Sequence, residues 1–176
     1  QSRSSAASDV YKRQILILAA TVVSCDKKDD DNSFDLTNEN VAGVYDLVFF
    51  TATIVETTDV NGLEVVSVFT DIGDTFDVAF DFDENGTYEA TGLFRIVSTT
   101  VVNGETTEEG AYIETVEVSD GTFSTNASSS ILTLDGDPFE VTLFDQDAMR
   151  IIFEEFETLP NGDTEMTTVE LRFVRQ

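Results

Sequence analysis

An all-β fold is predicted for this chain: an antiparallel meander closing into an up-and-down β-barrel of about 8–10 strands. Three observations predict it. From residue 37 onward the chain is dominated by Val, Ile, Thr, Phe and Tyr, which fit a pleated, half-buried surface. Apolar residues recur with period 2, and no segment keeps a 3.6-residue period over three turns. Asn-Gly pairs at 61–62, 85–86, 103–104 and 161–162, and Asp-Gly pairs at 120–121 and 135–136, punctuate the runs. Such pairs tolerate positive φ and mark tight hairpins. Consecutive hairpin-linked strands form a meander, and closure removes its exposed edges.

The elements follow in order from these signals. Strands are predicted at 43–57, 63–70, 75–82, 87–102, 105–118, 121–125, 130–135, 139–145, 147–157 and 164–175. In "TFDVAFDF", Phe76, Val78, Phe80 and Phe82 fall on one face, opposite Asp77, Ala79 and Asp81. In "TVELRFVR", Val169, Leu171 and Phe173 share a face, opposite Glu170 and Arg172. The run "VYDLVFF" is apolar on both faces and needs cover on both, from loops, from the segment around Phe34 and Leu36, or from a partner.

The N-terminal part is not barrel material. Residues 1–14 resemble translated adapter sequence, or hold a positive n-region in Lys12 and Arg13, and carry no fold argument. Residues 15–24 are mostly apolar and too short to span a bilayer, which takes about 20 residues. They fit the hydrophobic region of a signal peptide. Val22-Val23-Ser24-Cys25 resembles the lipobox of bacterial lipoproteins, which implies lipidation at Cys25, the sole cysteine of the chain. Residues 25–36 then read as the lipidated Cys and an acidic tether, and 37–176 as the barrel domain. "DKKDDD" after the cysteine resembles the surface-export signal of Bacteroidota lipoproteins. The implied location is the outer membrane, lipid-anchored and facing the cell surface.

Composition narrows the chemistry. From Cys25 onward six bases face 34 acids, a net charge of −28. Such a surface repels nucleic acid and anionic lipid and favours cationic partners. The chain has no His and no Trp, and its lysines stop at Lys28. Imidazole bases, Cys nucleophiles, Schiff-base lysines and the usual transition-metal ligands are therefore missing from the domain. No Gly-rich phosphate loop occurs. Carboxylates remain for a two-carboxylate hydrolase, but among so many acids no pair stands out. No catalytic residue, cofactor or metal is assigned, and no enzymatic activity is expected. "DFDENG" opens like an EF-hand loop, yet its twelfth position is Gly92 instead of a bidentate Glu. A hairpin turn is expected there, and solvated loop charge at Asp71, Asp74 and Asp77.

The segments "NVAGVYDLV", "FDFDENGTYEA", "GTFSTNASSSILTLDGDPFEVTLFDQDAMRIIF" and "LRFVRQ" together resemble the lipocalin-like lipoproteins of Bacteroidota, over roughly residues 40–176. The resemblance implies a barrel plugged at its base by an aromatic residue. This chain has Tyr45 where the familiar pattern has Trp. It further implies that Arg175, on the closing strand, stacks on or bonds near Tyr45. A barrel of this size is filled by its own side chains or leaves room for one small ligand. Tyr45, Phe76, Phe80, Phe82, Phe94 and Phe153 are the candidate ligand-lining residues, within a larger set that adds Phe49, Phe50, Phe69, Phe144 and Phe156. Two functions stand: a lipoprotein binding a small apolar or amphipathic ligand, and a non-catalytic accessory lipoprotein contacting a protein or glycan partner.

Overall fold

The computed structural model describes residues 34–176, and over 115–119 the backbone alone. One turn of helix, α1 (Asn38–Val41), leads into eight strands. These are β1 (Gly43–Val60), β2 (Leu63–Asp83), β3 (Thr87–Val102), β4 (Glu105–Asn126), β5 (Ile131–Leu134), β6 (Asp137–Phe144), β7 (Ala148–Thr158) and β8 (Thr164–Arg175). Each strand runs antiparallel to the next, and β8 returns to pair with β1, so the sheet closes on itself. The all-β meander barrel read from the sequence is the observed fold.

Eight strands replace the ten predicted segments because two predicted breaks are not turns. Residues 63–70 and 75–82 belong to one strand, β2, which is kinked by a register shift between Asp74 and Asp77 with Thr75 at φ 55°. This is a bulge, which bends a strand without ending it. Asp120-Gly121 likewise runs straight through β4. Gly121 is there for space: a Cβ on it would lie 2.3 Å from the Tyr88 ring. The other turn pairs do turn the chain. Asn61, Gly62, Asn103, Gly104, Asp135 and Gly136 all have positive φ, as expected of primed two-residue turns. Helix α1 is too short for periodicity to reveal. Its start is capped by Thr37, whose hydroxyl accepts from the Asn40 amide at 3.2 Å.

The barrel closes along only part of its height. β4 pairs with β5 over Phe123–Asn126 alone, and β6 pairs with β7 only between Glu140–Phe144 and Met149–Ile152. Above the Asp135-Gly136 turn, β4 and β7 are therefore the two edges of a curved six-stranded sheet, β4-β3-β2-β1-β8-β7. These edges carry Glu105, Glu108, Glu109 and Glu114 on β4, and Glu154, Glu155 and Glu157 on β7. Charge on unpaired edges opposes strand-to-strand aggregation.

The closed half holds the core. Tyr45, Leu47, Val78, Phe82, Phe94, Ile96, Phe123, Leu132, Met149, Ile151 and Phe173 are buried in one cluster. The segment ahead of β1 plugs the base: Val41 and Leu36 are buried in the same cluster, and the Phe34 ring lies 5.0 Å from that of Phe144. The compact unit thus begins at Phe34. Phe34 and Leu36 thus sit at the base of the barrel and are not cover for the outer side of "VYDLVFF", where Val48 stays exposed.

Candidate functional site

The inward face can be followed strand by strand from the buried residues and the register. Tyr45, Val78, Phe80, Phe82, Phe173, Met149 and Ile151 share it in the closed half. The same alternation carries Phe50, Ala52, Ile54 and Glu56 of β1 inward in the open half. Opposite them stand Leu171, Val169, Thr167 and Glu165 of β8. Beyond these come Phe153, Glu155 and Glu157 of β7, and Phe69 and Asp71 of β2.

All six candidate lining residues face inward, but they do not form one wall. Tyr45, Phe82 and Phe94 are buried and take part in the core instead of lining a space. Phe82 meets Tyr45 and Phe123 edge to face, at 5.7 and 5.1 Å. Phe80 meets Phe173 edge to face at 5.2 Å, and Phe76 stacks on Phe94 at 5.7 Å. These are the offset and T-shaped geometries that aromatic quadrupoles favour. Phe153 alone of the six stands in the open half, half-buried, 5.7 Å from Phe139. Of the larger Phe set, two members are corrected. Phe49 points outward beneath Arg172, whose guanidinium carbon is 4.2 Å from the ring centroid. A register shift between Leu47 and Phe49 turns it out. Phe156 also faces out and is 67% exposed.

The open half is a trough, and sequence reading missed most of its lining. Ile54, Phe69, Val169 and Phe153 are only half-buried. Their inward faces lie above the short β5–β6 hairpin, so no strand covers the trough between β4 and β7 among the described residues. The available signal was length: β1 and β2 are far longer than β5, which cannot enclose them. Polar groups accompany the apolar ones. Asp71 accepts from the Ser98 hydroxyl at 2.5 Å, and Glu56 and Glu165 are direct cross-strand neighbours.

The base is fixed by Arg175. Its Nε donates to the Tyr45 hydroxyl at 3.0 Å, its Nη2 donates to the same oxygen and to the Asn40 carbonyl, and its guanidinium carbon lies 4.9 Å from the Tyr45 ring centroid. Burial pushes the Tyr45 phenol above its usual range, against the opposing pull of Arg175. On the inward face, packed against Phe80 and Phe82, Tyr88 donates to Asp135 at 2.5 Å. Burial and that carboxylate push the Tyr88 phenol well up, and the phenol holds Asp135 below the usual carboxylate range.

The acidic motifs are accounted for locally. Asp83 and Asn85 close the β2–β3 hairpin by accepting from the Asn85 and Thr87 amides, and no described group of three acids is placed to hold a metal. Asp71, Asp74 and Asp77 separate: Asp71 faces the trough, while Asp74 pairs with Arg95 at 2.7 Å on the outer side. Cys25 and the Lys27–Asp31 run lie outside the described residues. Compared with protein-family models, curated proteins and solved structures, the chain matches none of them.

Proposed function

We propose that the protein is a cell-envelope lipoprotein, anchored through Cys25, whose lipocalin-like domain takes a small amphipathic ligand in the open half of its barrel. The observation that carries the ligand reading is the set of half-buried Ile54, Phe69, Val169 and Phe153, facing a space that no strand closes among the described residues. Apolar side chains left partly wet around a concave surface are what a small-ligand site presents. A fluorescent fatty-acid-like probe tests this on the full chain. One saturable site is expected, lost in Phe69→Glu, which puts a charge on the trough wall. Phe94→Glu buries its charge in the filled half and unfolds the barrel instead. Absence of probe uptake by the wild-type chain overturns the ligand reading. Anchoring is tested separately: Cys25→Ser that is still processed and still partitions with membranes refutes it.

An accessory role contacting a protein partner is the second reading, favoured by the outer face of the same strands. Phe156, Met166, Val55, Val68 and Val101 form one cross-strand row over five strands. The neighbouring rows on β8, β1 and β2 are Thr164, Thr57 and Val66 on one side and Thr168, Thr53 and Thr70 on the other. On so acidic a chain an uncharged patch of this kind is a place for a partner to dock. Loss of that partner on Phe156→Lys with Met166→Lys, with probe binding intact, separates the two readings.

A further inference from the structure

The two halves of the barrel differ in charge, and the difference bears on what the trough can hold. Residues 34–176 contain four cations, all arginines, and each is engaged away from the inward face of the open half. Arg95 pairs with Asp74 on the outer side, Arg150 and Arg172 share Glu170 there, and Arg175 is committed to Tyr45 and the Asn40 carbonyl at the base. The inward face of the open half has acids instead, and they become denser toward the rim. At the floor stand Phe50 and Leu171, directly opposite each other, with Ile96 across from Gly73. Next come Phe153, Val169, Ala52 and Asp71 in one cross-strand row, then Glu155, Thr167, Ile54 and Phe69 in the next. At the rim Glu157, Glu165 and Glu56 stand directly opposite one another across β7, β8 and β1. From Ala52 to Glu56 the wall rises about 13 Å at the usual strand spacing.

Like charges placed directly opposite on neighbouring strands destabilise a sheet. None of these three glutamates has a cationic partner in the described structure. A trough wall that carries apolar side chains and acids but no cation, with its glutamates gathered at the rim, is complementary to one kind of molecule. We propose that the trough binds a cationic amphiphile, a single alkyl or acyl chain bearing an amine or quaternary ammonium group. The chain lies along Ile54, Phe69 and Val169, and the positive group sits among Glu56, Glu165 and Glu157. This rests on the ligand-binding reading above and specifies the sign of the ligand's charge.

The test uses titration calorimetry on the full chain with three probes of equal chain length, each below its micelle concentration: dodecyltrimethylammonium, dodecyl maltoside and dodecyl sulfate. Dodecyltrimethylammonium is expected to bind one site at least ~10-fold more tightly than the maltoside, with the sulfate weakest. Glu56→Gln with Glu165→Gln should bring the cation to within about threefold of the maltoside and leave the maltoside unchanged. That variant relieves like-charge opposition, so its melting temperature should not fall. Glu64→Gln with Glu89→Gln, which removes the same charge from the outer face, should leave all three affinities as they were. If the outer pair weakens the cation as much as the inner pair, the attraction is general surface charge and the proposal is overturned. Equal binding of the three probes overturns the charge assignment and leaves the ligand-binding reading standing. Binding of none overturns both.

Discussion

The Arg175 guanidinium holds the Tyr45 hydroxyl at 3.0 Å while lying 4.9 Å from the Tyr45 ring centroid, so one cation satisfies the polar end of the base plug and also faces its ring. Arg175→Met should cost about 2–3 kcal/mol, because it leaves a fully buried phenol and the Asn40 carbonyl without their charged donor. Tyr45→Phe should cost less, about 1 kcal/mol, since Arg175 keeps the carbonyl. The two effects should not add in a double-mutant cycle read by urea unfolding.

The tyrosines set the alkaline limb of stability. Tyr45 and Tyr88 both have phenol pKa values raised in the folded state, mainly by burial. The folded protein then holds protons that the unfolded chain releases near pH 10, so stability falls as pH rises past about 10. Phenolate absorbance of these two residues should appear late in the folded protein and at the ordinary pH in urea. Tyr88→Phe should make the alkaline loss shallower.

On the acid side two effects oppose each other. Lowering pH from 7 first reduces the net charge of −26 and its self-repulsion, so the melting temperature should rise. Glu170, held below the usual carboxylate range by Arg150 and then Arg172, works the other way. Its depressed pKa contributes stability above the unfolded value of about 4.3 and loses it as pH falls through the folded value. Glu170→Gln should therefore lower the melting temperature at pH 7 and flatten the decline below pH 4 or so.

Glycine positions separate backbone strain from crowding. Gly92 has φ 127°, and a Cβ there would lie 1.9 Å from the Asp77 carbonyl oxygen, so Gly92→Ala should cost well over ~2 kcal/mol or prevent folding. Gly104, at φ 85° with open space around it, should lose only about 1 kcal/mol on the same change. Thermal melts of the two variants give the comparison.

Much of the fold was legible because alternation and turn chemistry are local. "TFDVAFDF" and "TVELRFVR" show their inward faces in the residues themselves, and Asn61-Gly62 and Asn103-Gly104 show their hairpins. The pairing of Tyr45 with Arg175 was expected from the resemblance of the opening and closing strands, and the structure brings the two together. Other features depend on register, which no local pattern encodes. Asp120-Gly121 has the composition of a turn but yields space to the Tyr88 ring, because β4 must pass flat beside β3. Phe49 and Phe50 are equivalent in sequence, and a one-residue shift between Leu47 and Phe49 sends one out to Arg172 and the other in to Phe94. Composition, alternation and turn pairs were enough for an acidic antiparallel barrel of about 8–10 strands and for which strand faces are apolar. That Tyr45, Phe82 and Phe94 fill its closed half while Ile54, Phe69 and Phe153 line an open one came from the folded barrel alone. The reason is that enclosure depends on how far the short β5 and β6 reach along their long neighbours, a property of pairing between distant segments.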